Sequence, residues 1–261
     1  MFLRLLLLLS LVMSCDGEIN TSHTSYFSLS KKEAYTIGQK IWQNECGANT
    51  HKLLSWNQGE DFLSLGIGHF IWYPKGRQKQ FADTFPDFLL FLQKHRVFIP
   101  SWLEKETDCP WYSKQEFDQT QDPRKQSLKK LLIQTIELQM LFIAQRSQKA
   151  IANILFSLPL KGKESFIKKI RLLAQTSNGK YAIIDYINFK GEGTTLKEQY
   201  ANQGWGLKQV IQNMPNQPTN PVQDFVKAAN LLLGNRVVNA PRDESRWLPG
   251  WENRLSTYLK P

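Results

Sequence analysis

From Ser30 onward the apolar positions fall at helical spacing. Ala34, Ile37, Ile41 and Trp42 recur at three- and four-residue steps behind a Ser30-x-x-Glu33 capping signature, which predicts a helix over residues 31–44 ending near Gly47. The pattern then changes. Residues 61–73 (DFLSLGIGHFIWY) are dense in β-formers and interrupted by Gly66 and Gly68, which predicts one or two short strands around a tight turn, closed by Pro74-Lys75-Gly76. Helical spacing returns over 85–94, and the Pro-bounded stretch around Trp102 and Trp111 gives no assignment. Residues 127–156 contain neither Gly nor Pro and keep Leu128, Leu131, Leu132, Thr135, Leu138, Met140, Leu141 and Phe142 on a broad apolar face, so they read as one central helix. Further helices are expected over 163–176 and 180–188. A polar, Gly-rich loop (KGEGTTLKEQYANQGWG) separates these from helices over 207–214 and 222–233, the second introduced by the Pro/Asn segment 215–221. The C-terminal stretch RDESRWLPGWENRLSTYL reads as a packed cap. There is no internal repeat, and the expected fold is mainly α (α+β) with one small β-hairpin.

The N-terminus lies outside this pattern. Arg4 precedes an uncharged apolar run from Leu5 to Met13, a signal-peptide layout covering about half of the ~20 residues a membrane-spanning helix needs. Val12-Met13-Ser14-Cys15 resembles the lipobox of bacterial lipoproteins, which implies acylation of Cys15 and a membrane anchor; the alternative is ordinary cleavage near Ser14. Asp16 resembles the signal that keeps such lipoproteins in the inner membrane. The chain therefore divides into a signal peptide over 1–14, a Ser/Thr/Gly-rich tether over 15–29 and a folded domain over 30–261. Export would leave Cys46 and Cys109 as an even pair in an oxidising compartment, where such pairs tend to bridge.

Composition narrows the partners. Eight Trp and fifteen Phe in a chain that is 41% hydrophobic argue for a substantial core and against disorder. A formal net charge of +10 suits an anionic partner. Outside the cytoplasm the available polyanions are peptidoglycan and phospholipid headgroups, and no nucleic-acid motif is present. The four histidines are scattered and there is no CxxC or HExxH, so neither a metal site nor a cofactor is expected. GxSxG is also absent, and GIGH lacks the third Gly of a dinucleotide fingerprint.

The candidate chemistry concentrates in residues 41–74. Glu45 ends the first predicted helix, about fifteen residues before the Gly-bounded acids Glu60 and Asp61 that open the β element. Glycoside cleavage in its usual form needs a carboxylic acid on one side of the scissile bond and a second carboxylate on the other. A helix C-terminus disfavours negative charge and so favours the protonated carboxyl of a general acid. The plainer readings are a solvated carboxylate for Glu45, turn chemistry after Gly59 for Glu60 and Asp61, and a hydrogen-bonded structural residue for His69. A second candidate is Glu192, flanked by Gly191 and Gly193, with Tyr200 and Trp205 near enough in sequence to stack on sugar faces; its plainer reading is an exposed residue at a helix cap.

Ser64-Leu65-Gly66-Ile67-Gly68-His69 resembles the Thr/Ser-x-Gly-Ile-Gly-His hairpin of phage-type lysozymes, in which the catalytic Glu precedes on a helix. Glu45-Cys46-Gly47-Ala48-Asn49 resembles the Glu-Ser-Gly-x-Asn motif of lytic transglycosylases, members of the same lysozyme superfamily, in which that Glu is the sole acid/base. Gly204-Trp205-Gly206-Leu207-Lys208-Gln209 faintly resembles the transglycosylase Gly-Leu-Met-Gln segment, although it lies much farther from the Glu. GIGHFIWYP and NFKGEG also resemble segments of a proteobacterial family, which implies no mechanism. The resemblance implies Glu45 as acid/base, Glu60 or Asp61 as a second carboxylate in a hydrolase, and Ser64 in place of the Thr that holds a water. The chain departs from the phage pattern: Leu54 and Gln58 stand where its spacing puts the second acid. The expectation is a peptidoglycan-cleaving enzyme of the bacterial envelope. The alternatives are a non-catalytic peptidoglycan-binding lipoprotein with a degenerate cleft, and a chitosanase-like hydrolase of a free polysaccharide.

Overall fold

The computed structural model describes residues 26–260. The signal segment, Cys15 and most of the tether fall outside them. The protein is mainly helical, with eleven α-helices among the described residues and five short strands in two small antiparallel sheets. None of the described helices is long and apolar enough to cross a membrane.

The first helix, α1 (Lys31–Cys46), starts where the sequence predicts, and Ser30 and Glu33 close the capping box reciprocally at 3.2 and 2.9 Å. Gly47 ends it in the left-handed conformation. Folding begins a little before this helix. The Tyr26 amide donates to Gln148 Oε1, Gln148 Nε2 donates to the Phe27 carbonyl, and Phe27 is buried, so the last residues of the expected tether pack on the body.

The β element has three strands rather than a single hairpin. β1 (Leu54–Ser55), β2 (Leu63–Leu65) and β3 (Phe70–Trp72) pair in that order, with Ser64 opposite Ser55 on one side and Ile71 on the other. The long loop inserted after Glu45 supplies the extra strand. Beyond it come α2 (Phe85–Lys94), the short helices α3 (Ser101–Glu104) and α4 (Lys114–Gln119), and then α5 (Pro123–Gln134) and α6 (Ile136–Ser157). Phe70, Phe88, Phe91 and Phe142 pack ring to ring with centroids 4.8 to 6.3 Å apart, which joins sheet, α2 and α6 in one core.

The single helix expected over 127–156 is broken at Thr135. This buried β-branched residue takes φ −111°, ψ 18° and donates its hydroxyl to the Leu131 carbonyl. Gln139, with no exposed surface, fills the gap. Its Nε2 donates to the Leu132 carbonyl at 2.7 Å, and its Oε1 accepts the Ile67 amide at 2.8 Å from the turn between β2 and β3. That turn needs Gly66, which has φ +71° and whose Cβ, if it had one, would collide with Gln139 Oε1. The helix break and the β2–β3 turn are therefore linked through one carboxamide.

The C-terminal half is α7 (Leu160–Leu173), α8 (Ser177–Lys190), α9 (Leu207–Asn213), α10 (Pro221–Asn239) and α11 (Leu248–Ser256). The Gly-rich loop between α8 and α9, read from sequence as irregular, folds into a second hairpin, β4 (Gln199–Tyr200) and β5 (Gln203–Gly204). Gly206 is required because its backbone lies against Gly193, whose amide a Cβ would strike. The Cys46–Cys109 bridge is not formed. Cys109 is a free, buried thiol whose pKa burial pushes up to about 12, in a segment tied to the end of β3 by the hydrogen bond its amide donates to the Tyr73 carbonyl. The side chain of Cys46 lies outside the described set.

Replacing Gln139 by Leu leaves the Ile67 amide and the Leu132 carbonyl buried without that partner, each at about 1–3 kcal/mol. We expect urea unfolding to show a loss of roughly 2–4 kcal/mol at unchanged m-value, and a variant as stable as the parent would contradict the linkage.

Candidate active site

Glu45 sits in the last turn of α1, where the helix meets the sheet and the C-terminal helices, with its side chain 13% exposed. Its Oε1 accepts from Arg254 Nη2 on α11 at 2.6 Å and from Asn188 Nδ2 on α8 at 3.2 Å. Its Oε2 lies 3.5 Å from His69 Nδ1. His69 closes the β2–β3 turn with φ +46°, which brings its ring beside Glu45. Glu60 stands near it: His69 acts on its charge, Asn57 Nδ2 donates to its Oε2 at 3.0 Å, and burial raises its pKa. Protonation of Glu60 is thus eased by burial and opposed by Asn57 and His69.

Asp61 goes elsewhere. It is exposed and paired with Arg77 at 3.6 Å on the loop after β3. Ser64 is buried in the middle strand, 3% exposed. Glu192 follows Asn188 and Lys190 on the same chain segment, and its pKa is raised by burial against hydrogen bonds from Asn153 and Thr194 and the nearby charge of Arg146. Trp205 is buried, with Tyr200 packed on it at 4.7 Å between centroids, so its ring is not a free stacking face.

The residues that complete the site give no sequence signal. Asp185, mid-way along α8, has no exposed surface and accepts from Arg254 Nε and Nη2 at 2.9 and 2.8 Å and from the Tyr258 hydroxyl at 2.6 Å, with Asn44 Nδ2 at 3.4 Å. Burial works against the Arg254 charge, but Asp185 and Glu45 outweigh it and raise its pKa well above the ordinary value. Arg254 arrives from 209 residues beyond Glu45, in a stretch whose mixed Arg, Glu and Trp content announces only a cap. The dipole penalty expected at the end of α1 is therefore met by a guanidinium.

Beside this triad runs a ladder of cations and rings. Arg254 lies over Phe189, Lys190 Nζ is 3.5 Å from the Trp251 centroid, and Arg236 lies over Trp205 at 4.2 Å and Trp251 at 4.9 Å. Glu244 balances Arg236 at 2.7 Å. Lys190 is 9% exposed; burial, reinforced by Arg236 and Arg254, pushes its pKa down to about 6. A ladder of this kind holds α8, α10 and α11 edge to edge around Glu45.

No protein-family model, no curated protein and no solved structure matches this chain.

The buried charges lead to two expected outcomes. Arg254→Met strands Glu45 and Asp185, and we expect a loss of about 3–5 kcal/mol in chemical denaturation. At Lys190 the unfolded chain, at the ordinary 10.5, holds a proton that the native state lacks above about 6, so the unfolded chain binds more protons across that window and stability rises with pH there. Lys190→Met should flatten the rise in melting temperature between pH 6 and pH 9; an unchanged slope would show that Lys190 does not titrate so.

Proposed function

We propose that this chain is a peptidoglycan glycan-strand cleaving enzyme of the bacterial envelope, with Glu45 as general acid/base, built on a lysozyme-superfamily domain anchored through Cys15. The observation that carries the reading is the setting of Glu45: a mostly buried carboxylate at a helix end, fixed by Arg254 and Asn188 and facing His69 of the Gly66–His69 turn. A positioned acid beside a Gly-punctuated β turn is what the resemblance of the Glu45-Cys46-Gly47 and Gly66-Ile67-Gly68-His69 motifs would require, and this setting supports the reading. Glu60, raised by burial and electrostatically joined to His69, is the second carboxylate available to a hydrolase. Asp61, exposed and paired with Arg77, is the weaker choice. A transglycosylase would need Glu45 alone.

A non-catalytic peptidoglycan-binding lipoprotein is the second reading. It is favoured by the occupation of Glu45 Oε1 by both Arg254 and Asn188, which leaves an acid free of those bonds only after rearrangement, and by the burial of Trp205.

The test is to incubate the protein from residue 16 with purified peptidoglycan beside Glu45→Gln and to identify released fragments by mass spectrometry. We expect muropeptides from the wild type and at least about a hundredfold less from the variant. Anhydro ends would identify a transglycosylase and reducing ends a hydrolase. A folded wild type that pellets with peptidoglycan and releases nothing would leave the binding protein.

A further inference from the structure

The turn between α6 and α7 brings together the two most exposed large apolar side chains among the described residues. Phe156 is 90% and Leu160 85% exposed, on either side of the exposed Pro159. Isolated exposed apolar residues are common, but two nearly bare ones at one apex are not what a solvated turn selects. The apex is also rigid. Leu155 and Leu158 are buried beneath it, the Leu158 amide donates to the Leu155 carbonyl, the Gly162 amide to the Pro159 carbonyl, and the Ser157 hydroxyl to the Ile154 carbonyl at 2.7 Å.

Charge around this apex is predominantly positive. Lys149 stands two turns before Phe156 on the same face of α6, and Lys161 and Lys163 open α7, against the acids Glu164 and Glu192, the latter bound by Asn153. The chain as a whole carries +10. Magnitudes choose the partner. Two side chains projecting from a turn bring roughly 300–400 Å² of apolar contact, well short of the ~1,000 Å² that a stable protein interface needs. A bilayer asks for less: a few apolar groups below the headgroups, with about 1 kcal/mol for each lysine near an anionic surface. A rigid apex also orders little on binding.

We infer that the α6–α7 turn is a membrane-docking tip that inserts Phe156 and Leu160 into an anionic lipid bilayer, with Lys149, Lys161 and Lys163 against the headgroups. This does not depend on catalysis at Glu45. It does set the orientation of that site, because Asn153, one turn before Phe156, donates to Glu192 Oε1 at 3.2 Å, so the Gly-rich loop faces the same surface.

The full chain would be mixed with vesicles of phosphatidylglycerol and phosphatidylcholine, or of phosphatidylcholine alone, and sedimented at increasing NaCl, beside a Phe156→Ser/Leu160→Ser variant. Any contribution of the N-terminal segment is common to both proteins. A second variant, Leu160→Trp, reads insertion at the tip itself: its added emission, relative to the parent, is followed with lipids brominated on the acyl chains. We expect at least a tenfold weaker partition of the double variant on anionic vesicles, an unchanged melting temperature, and quenching of the added Trp. Equal partition together with an unquenched Trp would overturn the inference. So would a parent that self-associates without vesicles and a double variant that does not, since the tip would then serve a second copy of the chain.

Discussion

Asp185 is a carboxylate without exposed surface, and the C-terminal half of the protein is arranged around satisfying it. A buried acid is tolerable only with paired charge and filled hydrogen bonds. Here Arg254 supplies two donors, Tyr258 one and Asn44 a longer one, drawn from α11, the turn after it and α1. Because the same guanidinium reaches Glu45, the position of the candidate acid follows from the solution to the Asp185 problem. The cation and ring ladder makes that solution stiff. Phe189 and Lys190 come from α8, Arg236 from α10, Trp251 and Arg254 from α11, and these cations and rings interleave across the three helices.

On the other side of Glu45 the constraint is different in kind. His69 is placed by a turn that exists because Gly66 can adopt a positive φ and Gln139 receives the Ile67 amide. The two halves of the site are thus held by unrelated devices, a buried ion pair and a buried carboxamide, which meet at one carboxylate.

Much of the architecture is legible in the sequence, for local reasons. The capping box at Ser30, the spacing through Ile41 and the Gly-punctuated β-formers of 61–73 decide their own structure, and α2 spans the residues its pattern marks out. The break at Thr135 is hidden because Leu131, Leu132 and Leu138 keep their apolar face across it; only the fate of one hydroxyl and one side-chain amide reveals it. Glu45 can be singled out because it sits in a short motif, whereas His69, also in one, reads from sequence as structural. Asp185 and Arg254 cannot, since an Asp within IIDYI and an Arg within ENRLS carry no mark of each other across 69 residues. Tyr200 and Trp205 point to stacking by residue type alone, and the fold uses them to face Arg236 and each other.

The distance along the chain between Glu45 and Arg254 has a consequence for the order of assembly. Contacts of such long range form late in folding, after the local helices that carry them. Until α11 docks, Glu45 and Asp185 are two acids on facing helices without their cation, although the Lys180–Glu33 ion pair and the Asn44–Tyr181 hydrogen bond already join α1 to α8. Completion of the acid site is therefore tied to completion of the fold, and a partly made or partly threaded chain would carry every motif of the site but not yet the site itself.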